Sequence, residues 1–133
     1  MISSRIYANA LLIFGLGVTC TVQAGSASVE MTAAGLLRDC QEFLSVNDKN
    51  YKPSLIGARN SGRCLGNLDF VITALEFLDT DPDKPLVCLP KTFTNGELAR
   101  ITVKYIEDNP TVMHNPRSNV MATAIGIAYK CKE

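Results

Sequence analysis

The sequence of 133 residues contains no tryptophan and only one histidine, His114. A metal centre or a catalytic triad would need further ligands, or a nucleophile, at a matching spacing from this histidine, and the sequence shows neither. The sequence also lacks the Gly-x-Ser-x-Gly motif of a nucleophile elbow and the Gly-Lys-Ser/Thr motif of a phosphate loop. We therefore expect a protein that is not an enzyme and that holds neither a metal nor a cofactor.

An excess of basic residues is missing as well. Lysine and arginine total 13, aspartate and glutamate total 13, and the formal net charge is +0. Without Arg5, which lies in an N-terminal apolar segment, 12 basic residues stand against 13 acidic ones, a charge of −1. No basic stripe is present to hold a phosphate backbone, which argues against nucleic acid as the partner.

No apolar run is long enough to cross a bilayer as a stable helix. The run at residues 8–22 follows the positively charged Arg5 and leads to a Val-Gln-Ala motif that ends at Ala24. A positive start, a short apolar stretch and small residues before the cleavage point are typical of a secretory signal. The sequence therefore predicts a signal peptide at residues 1–24 and a single domain at residues 25–133.

Cysteine is sparse, but its number is even once Cys20 is removed with the signal segment. The four that remain are Cys40, Cys64, Cys88 and Cys131. An even set in an exported domain of about a hundred residues indicates two disulfides in an oxidising compartment. These cysteines are then neither nucleophiles nor metal ligands.

Hydrophobic periodicity predicts four amphipathic helices and little strand, hence an all-α, compact bundle of about four helices. The predicted helices cover residues 30–44, 62–78, 94–109 and 115–131. The interval 45–60 is polar, with at most a helical turn at residues 54–59. Thr94 and Glu97 fit a capping box at the start of the third helix. Asn115 is placed to cap the fourth, with Pro116 at its first position.

These helices favour one of the three conceivable disulfide pairings. Cys40 lies near the end of the first helix and Cys64 near the start of the second, so antiparallel neighbours would bring them together. Cys88 precedes the third helix and Cys131 closes the fourth. A Cys64–Cys88 bond is harder, since helix two carries the chain about 20 Å away and bonded Cα atoms must lie within about 7 Å. We expect Cys40–Cys64 and Cys88–Cys131.

The polar loops contain few groups with specific chemistry. Asp79, Asp81 and Asp83 alternate in a loop with two prolines, but the glycine and the closing glutamate of an EF-hand calcium loop are missing. A solvated loop is the simplest interpretation, and a loop that contacts a partner is the alternative. For His114, we expect a capping or packing role.

Several short motifs, taken in order, resemble the Rap/Tai family of immunity proteins. They are Leu36-Leu37-x-x-Cys40, Cys64-x-Gly66, Cys88-Leu89-Pro90, Thr94-x-x-Glu97-Leu98, Tyr105, Pro110-x-x-x-His114 and residues 124–128 before Cys131. Asn67 and Phe70 stand where members often have tyrosine and glycine. The resemblance covers nearly the whole chain after the signal segment.

The resemblance implies a small periplasmic helical protein that binds and inhibits a peptidoglycan amidase delivered by a type VI secretion system. It also implies a homodimer whose partner is that amidase, a protein effector. We expect the effector to contact Asp81, Asp83 and Lys84 in one loop and His114 and Asn115 in another. The alternative function is a small disulfide-stapled periplasmic chaperone or stress protein, which would expose a larger apolar surface.

Overall fold

The computed structural model of the protein describes residues 28–49, 51–79, 81 and 83–132. These residues form four α-helices: α1 (Ala33–Lys49), α2 (Leu55–Leu78), α3 (Asn95–Asp108) and α4 (Arg117–Ala128). Two 3₁₀ helices, Val29–Met31 and Pro110–His114, precede α1 and α4, and the described residues contain no strand. The prediction of an all-α bundle of about four helices is confirmed. The predicted signal peptide at residues 1–24, with Cys20, lies outside the described residues.

The start of α3 is fixed by the predicted capping box. The Glu97 backbone N–H donates to Thr94 Oγ1 at 3.2 Å, and the Thr94 N–H donates to Glu97 Oε2 at 2.8 Å. Both bonds satisfy N–H groups that have no partner within the helix. The helix ends at Asp108, immediately before the Asn109-Pro110 pair. Its predicted limits are therefore confirmed to within a residue.

The start of α2 was predicted too late. The helix begins at Leu55, not at residue 62, and Ser54 Oγ caps it by accepting from the Gly57 N–H at 3.1 Å. In these first two turns, the residues that face the interior are Gly57 and Ser61. Neither is a large apolar residue, so hydrophobic periodicity did not reveal the buried side of this part of the helix.

The limits of two other helices also differ from the prediction. The first helix runs to Lys49 instead of residue 44. Its last turn is mostly polar, so hydrophobic periodicity did not reveal it. The fourth begins at Arg117, with Pro116 rather than Asn115 as its N-cap, and ends at Ala128 instead of Cys131. Asn115 is extended, and its carbonyl accepts the Ala33 N–H at 2.9 Å, so this residue links α4 to the start of α1.

The core lies between all four helices, with α1 packed against each of the other three. Its largest fully buried apolar side chains come from every helix: Leu36, Leu68, Leu98, Ile106, Met121 and Ile125. Burying a side chain of this size stabilises the fold by about 1.5–3 kcal/mol relative to leaving it in water. The apolar faces predicted from periodicity therefore form one continuous core.

Both expected disulfides are present, each with 5.0 Å between its Cα atoms. Cys40 and Cys64 are fully buried and join α1 to α2. The second bond joins two segments without regular secondary structure, and Cys88 is exposed while Cys131 is half-buried. The Cys88 N–H also donates to the Tyr129 carbonyl at 2.8 Å. One disulfide is thus an interior crosslink between two helices, and the other is a crosslink at the surface between two irregular segments.

Candidate functional site

The loop after α2 forms a tight turn that its own carboxylates hold. Asp81 Oδ1 accepts the Asp83 N–H at 3.0 Å, and the Asp81 carbonyl accepts the Lys84 N–H at 3.0 Å. Asp79 Oδ1 accepts the Leu86 N–H at 3.3 Å. Asp81, Asp83 and Lys84 are all exposed. Asp81, Asp83 and Lys84 therefore present two acidic side chains and one basic side chain to solvent.

An extended segment follows this turn and lies beside the end of α2. Pro85, Val87 and Leu89 are half-buried, while the intervening residues are exposed, as in a strand-like stretch with one face on the protein. Between this segment and Leu75 and Glu76 of α2 runs an open groove of about 480 Å³. Its walls mix apolar and charged groups.

His114 and Asn115 lie at the other predicted contact region, after α3. Both are exposed, and His114 is the last residue of the 3₁₀ helix. The Asn115 N–H donates to the Val112 carbonyl at 2.9 Å, and its own carbonyl accepts from Ala33. Its backbone is therefore held on both sides. Among the described residues, no group of three or more His, Cys, Asp or Glu side chains could hold a metal ion.

The two predicted contact regions lie on different connections of the fold, one after α2 and one after α3. Within the described residues, no hydrogen bond or salt bridge joins Asp81, Asp83 or Lys84 to His114 or Asn115. The first set follows α2, whereas the second follows α3, a helix of 14 residues and about 21 Å. Their role in binding a partner stays a prediction.

A buried charge cluster lies in the interior, and sequence reasoning missed it. Asp39 is fully buried, and its Oδ2 lies 3.2 Å from Nη2 of Arg117 and 3.4 Å from Nε of Arg63. Its Oδ1 lies 3.0 Å from Nη2 of the half-exposed Arg38. Arg117 is itself buried and donates from Nη1 to the Glu30 carbonyl at 2.7 Å. The cluster thus ties α1, α2, α4 and the first 3₁₀ helix together.

Glu30 extends this cluster to the surface. Its Oε1 lies 3.0 Å from Nη1 of Arg63. The hydrogen bond from Arg63, together with the positive charge of that guanidinium, lowers the pKa of the Glu30 carboxyl from its ordinary 4.5. The same hydrogen bond raises the pKa of Arg63. Glu30 is exposed to solvent, which screens the pair and limits its contribution to stability.

One signal in the sequence could have found Asp39. It lies three residues after Leu36 and four before Phe43, and both of these occupy the apolar face of α1. A carboxylate at that position is buried with them and requires positively charged partners. Arg63 and Arg117 gave no comparable signal, since only the tertiary fold brings them to α1. Arg63 and Asp39 also flank the buried disulfide, next to Cys64 and Cys40 respectively.

The outward side of α2 is unusually apolar for an exposed helix surface. Leu55 is 89%, Phe77 81% and Phe70 61% exposed. We call the solvent-facing row of this helix the α2 outer ridge, and it consists of Leu55, Arg59, Gly62, Gly66, Phe70, Thr73 and Phe77. The sequence pattern identified only the buried face of this helix. That face accounts for most of its leucines and valines, so the exposed side was not considered.

A shallow apolar depression lies between this side of α2 and α4. It has a volume of about 150 Å³ and is lined by Phe70, Ala74 and Leu78 of α2 and by Ser118, Asn119 and Ala122 of α4. Its floor carries few charged groups.

Comparison with known proteins gives one match. A family model described as Rap1a immunity proteins matches residues 32–131. The chain belongs to the Rap1a immunity protein family. No curated protein and no solved structure matches it. The membership predicted from the short motifs is confirmed.

The Rap1a family match takes in all four helices and both disulfides. Several residues of the motifs that carried the resemblance are structural: Leu36 and Leu98 are buried, and the four cysteines form the two disulfides. The family pattern in this chain therefore describes the scaffold more than the contact surface.

Membership in a family of immunity proteins implies a role in binding a partner effector protein. Such proteins are in general not enzymes. Across the described ranges, no helix has the length and hydropathy needed to cross a membrane. Three exposed surfaces are candidates for contact with a protein partner: the 81–84 turn, the His114-Asn115 segment and the α2 outer ridge.

Proposed function

We propose that this Rap1a-family protein is a periplasmic immunity protein that binds and inhibits a peptidoglycan amidase delivered by type VI secretion. It thereby protects the producing cell from that amidase. Residues 1–24 are the export signal, and residues 25–133 are the functional domain. The observation that carries the proposal is the family match over residues 32–131, which includes all four α-helices and both disulfides.

The scaffold supports an inhibitory role through its rigidity. Two disulfides and a capped α3 restrict the motion of the domain before it meets a partner. A preorganised surface loses less conformational entropy on association, and this raises affinity. Disulfides form and persist in an oxidising compartment such as the periplasm, so the two bonds agree with the proposed location.

The 81–84 turn is the preferred contact with the effector. The carboxylates of Asp81 and Asp79 accept the backbone N–H groups of Asp83 and Leu86, and the Asp83 and Lys84 side chains are exposed for contact. The turn is exposed and stands at one end of the open groove beside α2. His114 and Asn115 form a second contact, on a backbone anchored to α1.

A chaperone is the second candidate function, and the exposed side of α2 favours it. Leu55 and Phe77 are 89% and 81% exposed, and exposed apolar side chains are what a chaperone uses to hold an unfolded client. Prevention of client aggregation at acidic or neutral pH would support this function. An immunity protein of this kind is expected to leave the aggregation of an unrelated client unchanged.

A genetic experiment tests the proposal. The gene is deleted in the producing strain, and a peptidoglycan amidase effector of that strain's type VI secretion system is directed to the periplasm. We expect lysis, with rescue by the full chain and no rescue by a chain lacking residues 1–24. Cells that survive the amidase without the gene would contradict the proposal. Purification of the protein from periplasm, followed by identification of the bound partner, gives an independent result.

A further inference from the structure

The Cys88–Cys131 disulfide lies where a second protein has access to it. Cys88 belongs to the extended segment after α2 and is exposed, whereas Cys40 and Cys64 are fully buried. Thiol–disulfide exchange requires a thiolate to reach one sulfur atom of the bond. On the folded protein, exchange is therefore open at this bond and closed at Cys40–Cys64, which becomes accessible only when α1 and α2 separate.

The segment around Cys88 has the form of an extended peptide with one side turned to solvent. Leu86, Cys88 and Pro90 are exposed, and the residues between them are half-buried. We call these three exposed residues the outward row. An extended peptide offers a partner both its outward side chains and its backbone groups. Cys88 is thus the central residue of a row that another protein can bind.

The open groove of about 480 Å³ adjoins the same segment. Cys88 is the one cysteine among its described lining residues, which also include Leu75, Val87 and Phe93. Pockets that hold a ligand have volumes of about 300–1,000 Å³, so the groove is within that range. A protein loop that carries a thiolate to Cys88 therefore has room for the side chains beside that thiolate.

The position of Cys88 depends on contacts that do not involve its sulfur. The Cys88 N–H donates to the Tyr129 carbonyl at 2.8 Å, and Leu89 and Tyr129 pack against the core. Cys131 differs, since it lies after the end of α4 among residues without regular secondary structure. Opening the bond therefore releases Cys131 and leaves Cys88 in place on the fold.

Charge favours Cys131 as the sulfur that leaves. Lys130 and Lys132 flank it in the sequence, and both are exposed. Positive charge beside a sulfur atom stabilises its thiolate, and a stabilised thiolate is the better leaving group. The neighbours of Cys88, by contrast, are the uncharged Val87 and Leu89. The favoured reaction is therefore attack at Cys88 with departure of Cys131.

We propose that Cys88 is the site at which a protein dithiol oxidoreductase acts on the folded protein, with the outward row and the groove as its docking surface. The partner is a protein with two neighbouring thiols, since one thiol attacks and the second releases the product. The exchange neither requires nor supplies inhibition of an amidase. Its failure and the failure of the proposed function are therefore separate results.

The exchange takes place in two steps. The first thiolate of the oxidoreductase attacks Cys88 Sγ, the bond to Cys131 breaks, and Cys131 leaves as a thiolate. The second thiolate then attacks the first sulfur of the oxidoreductase and releases Cys88 as a thiolate. The two protons of the dithiol pass through water to Cys131 and Cys88. The oxidoreductase is oxidised to its disulfide, and the bond in this protein is reduced by two electrons; the reverse steps close it.

A trapping experiment identifies the attacked sulfur. The probe is thioredoxin in a variant whose second active-site cysteine is serine, so that the reaction stops at the mixed disulfide. It is incubated with the folded, exported protein, free thiols are alkylated, and the adduct is located by mass spectrometry. We expect the adduct on Cys88, with Cys131 alkylated and Cys40–Cys64 intact. An adduct on any other cysteine, or no adduct, would overturn the proposal.

Rates of opening separate recognition by a protein from simple access. Wild-type thioredoxin should open Cys88–Cys131 at least about 10-fold faster than glutathione at the same thiolate concentration, because it also binds the outward row. Leu86→Ser should remove most of this advantage and leave the glutathione rate unchanged. The matched control is Leu55→Ser, an exposed leucine at the far end of α2, which should change neither rate. Equal rates for the two reagents, or a thioredoxin rate that Leu86→Ser leaves unchanged, would contradict the docking surface.

Discussion

Asp39 of α1 and Arg117 of α4 form a buried ion pair, with 3.2 Å between Oδ2 of the carboxylate and Nη2 of the guanidinium. The two residues are 78 positions apart in the sequence. Both side chains are almost completely removed from water. The pair therefore fixes the start of α4 against the middle of α1, and each charge depends on the other for its stabilisation.

We predict that Asp39→Ala destabilises the protein by about 3–5 kcal/mol, because it leaves the buried Arg117 without its counter-charge. Urea unfolding followed by circular dichroism measures the change. Arg38→Ala is the matched control, since Arg38 contacts the same carboxylate from a half-exposed position and should cost less than about 1 kcal/mol. An Asp39→Ala protein as stable as the Arg38→Ala protein would contradict this account of the cluster.

Glu30 predicts a pH-dependent contribution to stability. Its pKa in the folded protein is lower than the ordinary 4.5, so the folded state favours the charged carboxylate. The stabilisation is complete above pH 4.5 and is lost as the pH falls through the lowered folded-state pKa. Glu30→Gln should therefore be less stable than wild type at pH 7 and equally stable at strongly acidic pH. A difference that persists unchanged at acidic pH would speak against the Glu30–Arg63 pair as its cause.

The capping box of α3 predicts a local effect. Thr94→Ala removes the acceptor of the Glu97 N–H and should lower the free energy of unfolding by about 1 kcal/mol. Thr92→Ala, at an exposed position two residues earlier, is the control and should change it little. If both variants unfold at the same urea concentration as wild type, the cap contributes nothing measurable.

The two disulfides should differ in their rates of reduction. The attacking thiolate needs access to a sulfur atom, and only Cys88 is exposed, whereas Cys40 and Cys64 are fully buried. Mild reduction followed by thiol alkylation and mass spectrometry should label Cys88 and Cys131 first. Labelling of Cys40 at the same rate would show that α1 and α2 separate far more readily than their packing implies.

Much of the scaffold was predictable because its signals are local. The capping box at Thr94, the apolar faces of the four helices and the disulfide pairing all follow from short-range sequence spacing and helix length. The start of α2 was not predictable in the same way. Its buried side there consists of Gly57 and Ser61, and small residues leave no hydrophobic pattern.

The surfaces were harder to predict than the scaffold. The Asp39 cluster depends on Arg63 and Arg117, which only the tertiary fold brings to α1. The α2 outer ridge was overlooked because hydrophobic periodicity identifies only the buried face of α2, and Phe70 and Phe77 lie outside that face. Contact with a partner at Asp83 or His114 depends on the surfaces of both proteins, and the sequence of one protein describes only its own surface.

Inhibition of a peptidoglycan amidase effector from the type VI secretion system of the producing strain tests the central claim most directly. The folded, exported protein is titrated against this amidase, and hydrolysis of purified peptidoglycan is measured. We predict inhibition that saturates near a stoichiometric ratio. Charge reversal in the turn, by Asp83→Lys with Lys84→Glu, should weaken it at least about 10-fold, and the exposed control Lys52→Glu should not. Full amidase activity in the presence of excess folded protein would contradict the account.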